Sequence, residues 1–201
     1  MTLGHKCQIF EGKEKLLPLP LKLISTEIPF ENWVLDFIGK IHPSSSAQHK
    51  WILTVTDYFT KWIEAITSRQ ATDSVIISFL EKNILSRFGC PQKIITDNAI
   101  AFKCKKMVDF CNRCHIPLGH STTYYPHGNG LAESSNKSLV NIIKKLLEDN
   151  KKTWNKKLVN ALCADRLTTK KSIGTSPYQL IYGMDVVFPS SLEVPVMKMI
   201  Q

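Results

Sequence analysis

The chain has 201 residues, 43% of them hydrophobic, and carries a formal charge of +9 from 26 Lys and Arg against 17 Asp and Glu. That is enough apolar material to bury one sizeable core, which excludes wholesale disorder, and no apolar run approaches the length of a membrane span. The positive excess points to a polyanionic partner, and nucleic acid is the expected one rather than a membrane surface.

Taken in chain order, the segment up to about Ile24 is mixed, with Leu-Pro-Leu-Pro at 17 to 20 reading as an extended arm. The aromatic and β-branched run from Trp33 to Ile41 predicts a strand, with one carboxylate, Asp36, amid apolar neighbours. A serine-rich turn precedes a second strand from Trp51 to Thr56, and Lys61 to Ile66 supplies a third, so an antiparallel meander is expected. Thr72 or Asp73 can then cap a helix with Ile76, Phe79, Leu80 and Ile84 in helical step, which Gly89 and Pro91 end. Lys93 to Thr96 reads as a fourth strand running directly into Asp97.

A helix from about Ala101 to Cys114, carrying Phe102, Val108 and Phe110, and a fifth strand from Ile116 to His120 come next. Tyr124 to Gly130 reads as a loop from its Pro and Gly content. A long helix follows from Leu131 to Glu148, with Leu139, Ile142, Ile143 and Leu146 on one face, and another from Thr153 to Thr169. Ser176-Pro177 begins a further short helical turn, and the tail beyond Pro189 is irregular. Three strands followed by alternating helices and strands make an α/β domain with a mixed five-stranded sheet flanked by helices.

The six cysteines form no regular disulfide framework, and a chain of this size needs none, so reduced thiols are expected. Cys111 to His115 has the spacing of a haem attachment site, and nearby His120 raises the thought of zinc. A structural zinc site wants four ligands, however, and no second Cys-x-x-Cys or paired-His motif exists; small thiols at a helix end are the expectation.

The acids are more informative. Phosphodiester chemistry at neutral pH requires neutralisation of charge at phosphorus, and hard divalent ions held by carboxylate oxygens provide it. Asp36 within the first strand, Asp97 at the end of the fourth and Glu133 in the first turn of the long helix can converge for that purpose. Between Asp97 and Glu133 lie 35 residues. Asp57 also follows a strand, as Asp97 does.

The stretches WVLDFIGKI, WILTVTDYFTKWIEA, KIITDNAIAF and STTYYPHGNGLAESSNKSL resemble, in order, the integrase catalytic core of gypsy-type LTR retrotransposons, a group abundant in plants. SIGTSPYQLIYGMDVVFP resembles the segment that follows the core in such elements. The resemblance covers about Leu16 to Val196. It implies a ribonuclease-H-like fold and places the D,D-35-E acids at Asp36, Asp97 and Glu133, with no metal ligand at Asp57, which leaves that residue a turn or cap role. It also implies two Mg²⁺ or Mn²⁺ ions, DNA (element ends and target) as partner, and 3′-end processing followed by strand transfer. Asn136, Lys137, Lys144 and Lys145 on the long helix, with Tyr125 and His127 before Glu133, are the expected nucleic-acid contacts. Homodimers or higher multimers, no membrane association and a nuclear site of action follow from the same resemblance.

The chain departs from the family pattern in places. Ala99 stands where Gly commonly follows Asp-Asn, and His127 where Gln is frequent. Lys6-Cys7-Gln8 resembles the last ligand of the family's N-terminal zinc module, yet Gly4 occupies the partner cysteine position. The expected division is therefore a linker remnant at 1–16, a catalytic core at 17–186 and a tail at 187–201. The competing expectation is a catalytically silent, domesticated or decayed nucleic-acid-binding module. A ribonuclease H or a DNA transposase of the same fold is disfavoured by the gypsy-type segments.

Overall fold

The structure is a computed structural model that describes residues 28–120, 127–147 and 150–186. The expected linker and tail segments, together with Cys7, Tyr124 and Tyr125, lie outside the described residues, as does the side chain of His127.

Strand β1 (Asn32–Gly39) pairs antiparallel with β2 (Trp51–Asp57), and β2 with β3 (Ile63–Ser68). On its other edge β1 runs parallel to β4 (Lys93–Thr96), which runs parallel to β5 (Leu118–His120). The sheet order is β3-β2-β1-β4-β5, the mixed five-stranded sheet expected from the sequence. Central β1 is covered on both faces, which explains its run of buried Trp33, Val34 and Leu35 where an edge strand would alternate.

The third strand starts later than its sequence suggests. Lys61 takes a positive φ of 63° and belongs to the β2–β3 turn. That turn is organised by Asp57, which is fully buried: its carboxylate accepts from Thr60 N (2.7 Å), Thr60 Oγ1 (2.6 Å) and Phe30 N (3.0 Å). Asp57 is thus a turn residue, as expected. Beyond the turn, buried Glu64 accepts from Trp62 Nε1 and pairs with Arg166 and Arg87, each at 2.9 Å. The Arg166 guanidinium also lies over the Trp62 ring and donates to Ile63 O, tying the edge strand to a helix.

Helix α1 (Asp73–Phe79) widens into a π-helical segment (Leu80–Leu85) before α2 (Ser86–Phe88) and the left-handed Gly89, at φ 82°. The helix expected from Ala101 to Cys114 is divided. α3 (Ile100–Lys103) and α4 (Lys105–Arg113) meet at Cys104, which is extended with ψ 153°. The break follows from burial: Phe102 and Met107 both enter the core, and a spacing of five does not fit one helical stripe. Val108, expected inside, is 37% exposed.

The long helix α5 (His127–Leu146) begins earlier than expected, absorbing His127 to Gly130, which the sequence reads as loop. Its packing face overrides the low helix propensity of two glycines: Leu139, Ile142 and Ile143 join Ile52, Ile63, Trp154 and Leu158 in one core. Helix α6 (Trp154–Leu167) is joined to α5 at Asp165, fully buried, which accepts from Ser138 Oγ at 2.9 Å and pairs with Lys170. Helix α7 (Pro177–Tyr182) is capped by Ser176, whose hydroxyl accepts from Gln179 N.

A second core, built from Trp33, Leu35, Leu53, Val55 and the α1 and α4 side chains, fills the opposite face. Two helical layers therefore enclose the sheet. Cys90, Cys104, Cys111, Cys114 and Cys163 are free thiols. The Cys111 thiol is pushed up to about 11 by burial and, secondarily, by Cys114. No helix among the described residues is long and apolar enough to cross a membrane.

Candidate active site

Alternation along β1 turns Val34, Asp36 and Ile38 toward α5, so Asp36 brings a carboxylate to an otherwise apolar interface. Its Oδ1 accepts from Phe37 N at 2.7 Å and its Oδ2 from Asn136 Nδ2 at 2.8 Å. Thr54, paired opposite Asp36 in the β1–β2 ladder and 1% exposed, donates its hydroxyl to Asn136 Oδ1 at 2.8 Å, with Asp36 O at 3.2 Å as the alternative acceptor. The Asn136 amide is held at both ends, and it holds one edge of the Asp36 carboxylate.

Parallel pairing places Leu35 beside Thr96, so Asp36, midway along β1, and Asp97, the first residue after β4, come next where that ladder ends. Asp97 Oδ1 accepts from Ala99 N at 2.9 Å, which fixes the first turn of the loop after β4. Buried Thr96 donates to Asp97 O at 3.0 Å and meets His120 Nδ1 at 2.9 Å. Glu133, expected in the first turn of the long helix, lies in its second turn because α5 starts at His127; it sits one turn before Asn136 and is exposed to solvent.

Electrostatics connects the three acids. Asp36 is pushed from 3.8 up to about 6, first by burial and then by the negative charges of Asp97 and Glu133; the Phe37 and Asn136 hydrogen bonds oppose the rise. Both other acids therefore bear on the Asp36 carboxyl. They are not closed into a ligand shell: among the described residues, no group of three or more His, Cys, Asp or Glu side chains is gathered to hold a metal ion. The residues nonetheless fit a hard divalent cation. All three donors are carboxylates, and Asp36 is ionised against its surroundings, a cost that a neighbouring cation would relieve.

Of the other residues singled out from the sequence, Lys137, Lys144 and Lys145 are exposed along α5. Asn136, expected to touch nucleic acid, has both ends of its amide engaged with Asp36 and Thr54. Thr54 and Thr96 were not singled out. Their signal is a polar residue at a buried position of an otherwise apolar strand, immediately beside an acid.

A family model described as "Integrase core domain" matches residues 26–126, just over half of the chain. The chain is 31% identical over 156 residues to the Gag-Pol polyprotein of avian reticuloendotheliosis virus, covering 78% of this chain and 13% of that polyprotein. It is 28% identical over 178 residues to the Pro-Pol polyprotein of feline foamy virus, covering 86% of this chain and 15% of that polyprotein. The chain thus spans only a small part of the length of the curated relatives it matches.

Among solved structures, it is similar to a chain of the simian T-cell lymphotropic virus intasome in complex with PP2A regulatory subunit B56 gamma. The TM-score is 0.66 at 23% identity, over 81% of this chain and 57% of that one, a likeness of fold. It is also similar to the HTLV-2 integrase catalytic core domain in complex with magnesium, with TM-score 0.60 and 25% identity over 77% of this chain and 98% of that one. The fold is therefore ribonuclease-H-like. With a mixed five-stranded sheet and a family model matched across β1 to β5, the chain belongs to the integrase core domain family.

Proposed function

We propose that this chain is the catalytic core of a polynucleotidyl transferase that cuts near a DNA 3′ end and joins that end to a second duplex. The observation that supports the reading most is the Asp36 carboxyl, held by Asn136 and facing the charges of both Asp97 and Glu133. In this reading Asp36, Asp97 and Glu133 are the catalytic residues and hold two divalent cations, Mg²⁺ or Mn²⁺. When bound, such ions neutralise charge on the phosphate and lower the pKa of an attacking oxygen.

The protein's own part is orientation. Asn136 and Phe37 N fix the Asp36 carboxylate, Ala99 N fixes Asp97, and the rigid sheet holds the two side by side. In the joining step a DNA 3′-hydroxyl oxygen bonds to phosphorus as the target's P–O3′ bond breaks. The hydroxyl proton passes to solvent, and the broken target strand keeps the displaced 3′-oxygen, which takes a proton from solvent to become a 3′-hydroxyl.

Lys137, Lys144 and Lys145, with Tyr125 and His127, are the DNA contacts of this reading. The motif wording of WVLDFIGKI, KIITDNAIAF and SIGTSPYQLIYGMDVVFP supports a gypsy-type, plant-like retrotransposon origin. Action as a homodimer or higher multimer in the nucleus goes with it. A DNA-binding module without turnover is the second reading, favoured by the fact that, among the described residues, no three His, Cys, Asp or Glu side chains are gathered to hold a metal ion.

Incubating the purified chain with a branched oligonucleotide that mimics a joined product separates the two. Resolution of the branch with Mg²⁺ or Mn²⁺ is expected; binding without turnover in either metal leaves the second reading standing. Reversing each of Lys144 and Lys145 to Glu should weaken binding to all sequences alike. The log–log salt dependence should flatten by about 0.9 for each phosphate that is no longer neutralised. An unchanged slope would remove those lysines from the DNA surface.

Asn136→Ala tests the orientation directly. Losing the amide should weaken Mn²⁺ binding by about 10- to 100-fold, read by titration calorimetry, while the fold is retained. Equal affinity in the variant would mean that Asn136 has no part in positioning Asp36.

A further inference from the structure

The molecule has a second feature, which shares only Lys144 with the DNA contacts of the proposed reading. Between the C-terminal half of α5 and the β1–β2 hairpin lies a slot of about 460 Å³, within the range typical of binding sites. One wall is a single helical stripe, Val140, Ile143, Lys144 and Leu147, and the other is Ile38, Ile41 and Pro43. Buried Ile52 and Trp154 reach its floor, so the slot opens directly onto the α5–α6 core.

Its walls are braced. Trp154 Nε1 donates to Pro43 O at 3.3 Å, Ser46 N to Lys152 O at 2.9 Å, and Ile41 N to Lys50 O at 2.8 Å. These bonds link the hairpin to the start of α6 and across its own base, so the slot is preformed. Among the described residues that line it, the charged side chains are Lys144 and Lys151, and none is acidic.

We propose that this slot docks an acidic amphipathic peptide segment of a partner protein, with two apolar anchors a helical turn apart in the slot and flanking Asp or Glu side chains on Lys144 and Lys151. Charge complementarity selects the occupant. A basic segment is repelled at both ends. A DNA strand satisfies the lysines through phosphate yet leaves the apolar floor wet, whereas an acidic helix with an apolar face satisfies both. The inference is independent of the catalytic reading, since it uses neither Asp97 nor Glu133.

The test is selection of a random peptide library displayed on phage against the full chain, counter-selected with Val140→Trp, which fills the slot from its half-exposed wall. Enriched peptides should carry two apolar residues three or four apart among acids. The best of them, made synthetically, should bind the chain and lose at least about tenfold in affinity with Val140→Trp. The double variant Lys144→Glu/Lys151→Glu, confined to exposed side chains, should weaken it as much, so a packing defect in Val140→Trp cannot mimic the result. Failure to enrich any slot-dependent peptide, or enrichment of basic ones, overturns the proposal. A duplex oligonucleotide whose binding falls equally with Val140→Trp would reassign the face to nucleic acid. A synthetic peptide of residues 187–201 that binds in a Val140-dependent way would reassign it to this chain's own tail.

Discussion

Replacing Asp36 by Asn is expected to reduce metal-dependent DNA joining by at least about a thousandfold and, in the same variant, to raise the stability of the fold at neutral pH. Both effects have one origin. The folded carboxyl titrates near 6 and the unfolded one near 3.8, because burial and two neighbouring acids disfavour the anion. The unfolded chain therefore gives up its proton first as pH rises. Stability is lost progressively from about pH 4 to pH 6, and beyond that the anion costs the fold up to about 3 kcal/mol. Asn carries no charge, so it recovers much of that loss. Its one amide oxygen can accept from only one of the two donors, Phe37 N and Asn136 Nδ2, that the carboxylate serves, which offsets part of the recovery, and a net gain of about 1–2 kcal/mol is expected at pH 7. Urea unfolding of both proteins at several pH values checks this: the gain should be present above pH 6 and vanish near pH 4. Adding Mn²⁺ should stabilise the wild-type chain and leave the variant unmoved. A variant no more stable than wild type at pH 7 would mean that the Asp36 anion is not strained, and the electrostatic basis of the site would go with it.

Much of this site was legible in the sequence because its ingredients are local. Asp36 is the one acid in an apolar strand, Asp97 directly follows the neighbouring parallel strand, and Glu133 stands early in the long helix; the family motif then orders them. The strand at Lys93–Thr96 and the five-stranded sheet were readable from runs of β-branched residues ended by turn formers. What was not legible depends on tertiary contacts. The early start of α5 at His127 goes against its two glycines and is set by packing further along the helix. The division at Cys104 follows from the need to bury both Phe102 and Met107, which periodicity within one window does not reveal. Asn136 carries no sequence signal for its partners, since one hydrogen bond spans 100 residues to Asp36 and the other 82 to Thr54.

Phe102→Ala is expected to destabilise the fold by about 3–5 kcal/mol and, unlike an equally costly cavity elsewhere, to weaken the site. Phe102 is fully buried on α3, the short helix that closes the loop after Asp97. Its ring lies 5.5 Å from that of Phe37, the residue whose amide N–H binds the Asp36 carboxylate. Phe102 N also donates to Ala99 O, and Ala99 N donates to Asp97 Oδ1, so the ring anchors the Asp97 loop from behind the sheet. Truncation thus removes the packing that relates the Asp36 strand to the Asp97 loop, as well as leaving a cavity. Leu158→Ala provides the comparison. Leu158 is buried in the α5–α6 core, away from both acids, and its loss should cost about 2–5 kcal/mol. Urea unfolding should show both variants destabilised, with Phe102→Leu intermediate. Mn²⁺ titration well below the unfolding transition should show about a tenfold loss for Phe102→Ala and none for Leu158→Ala. Equal metal affinity in the two would mean that the aromatic pair is ordinary core packing and that the strand ends alone fix the distance between the acids.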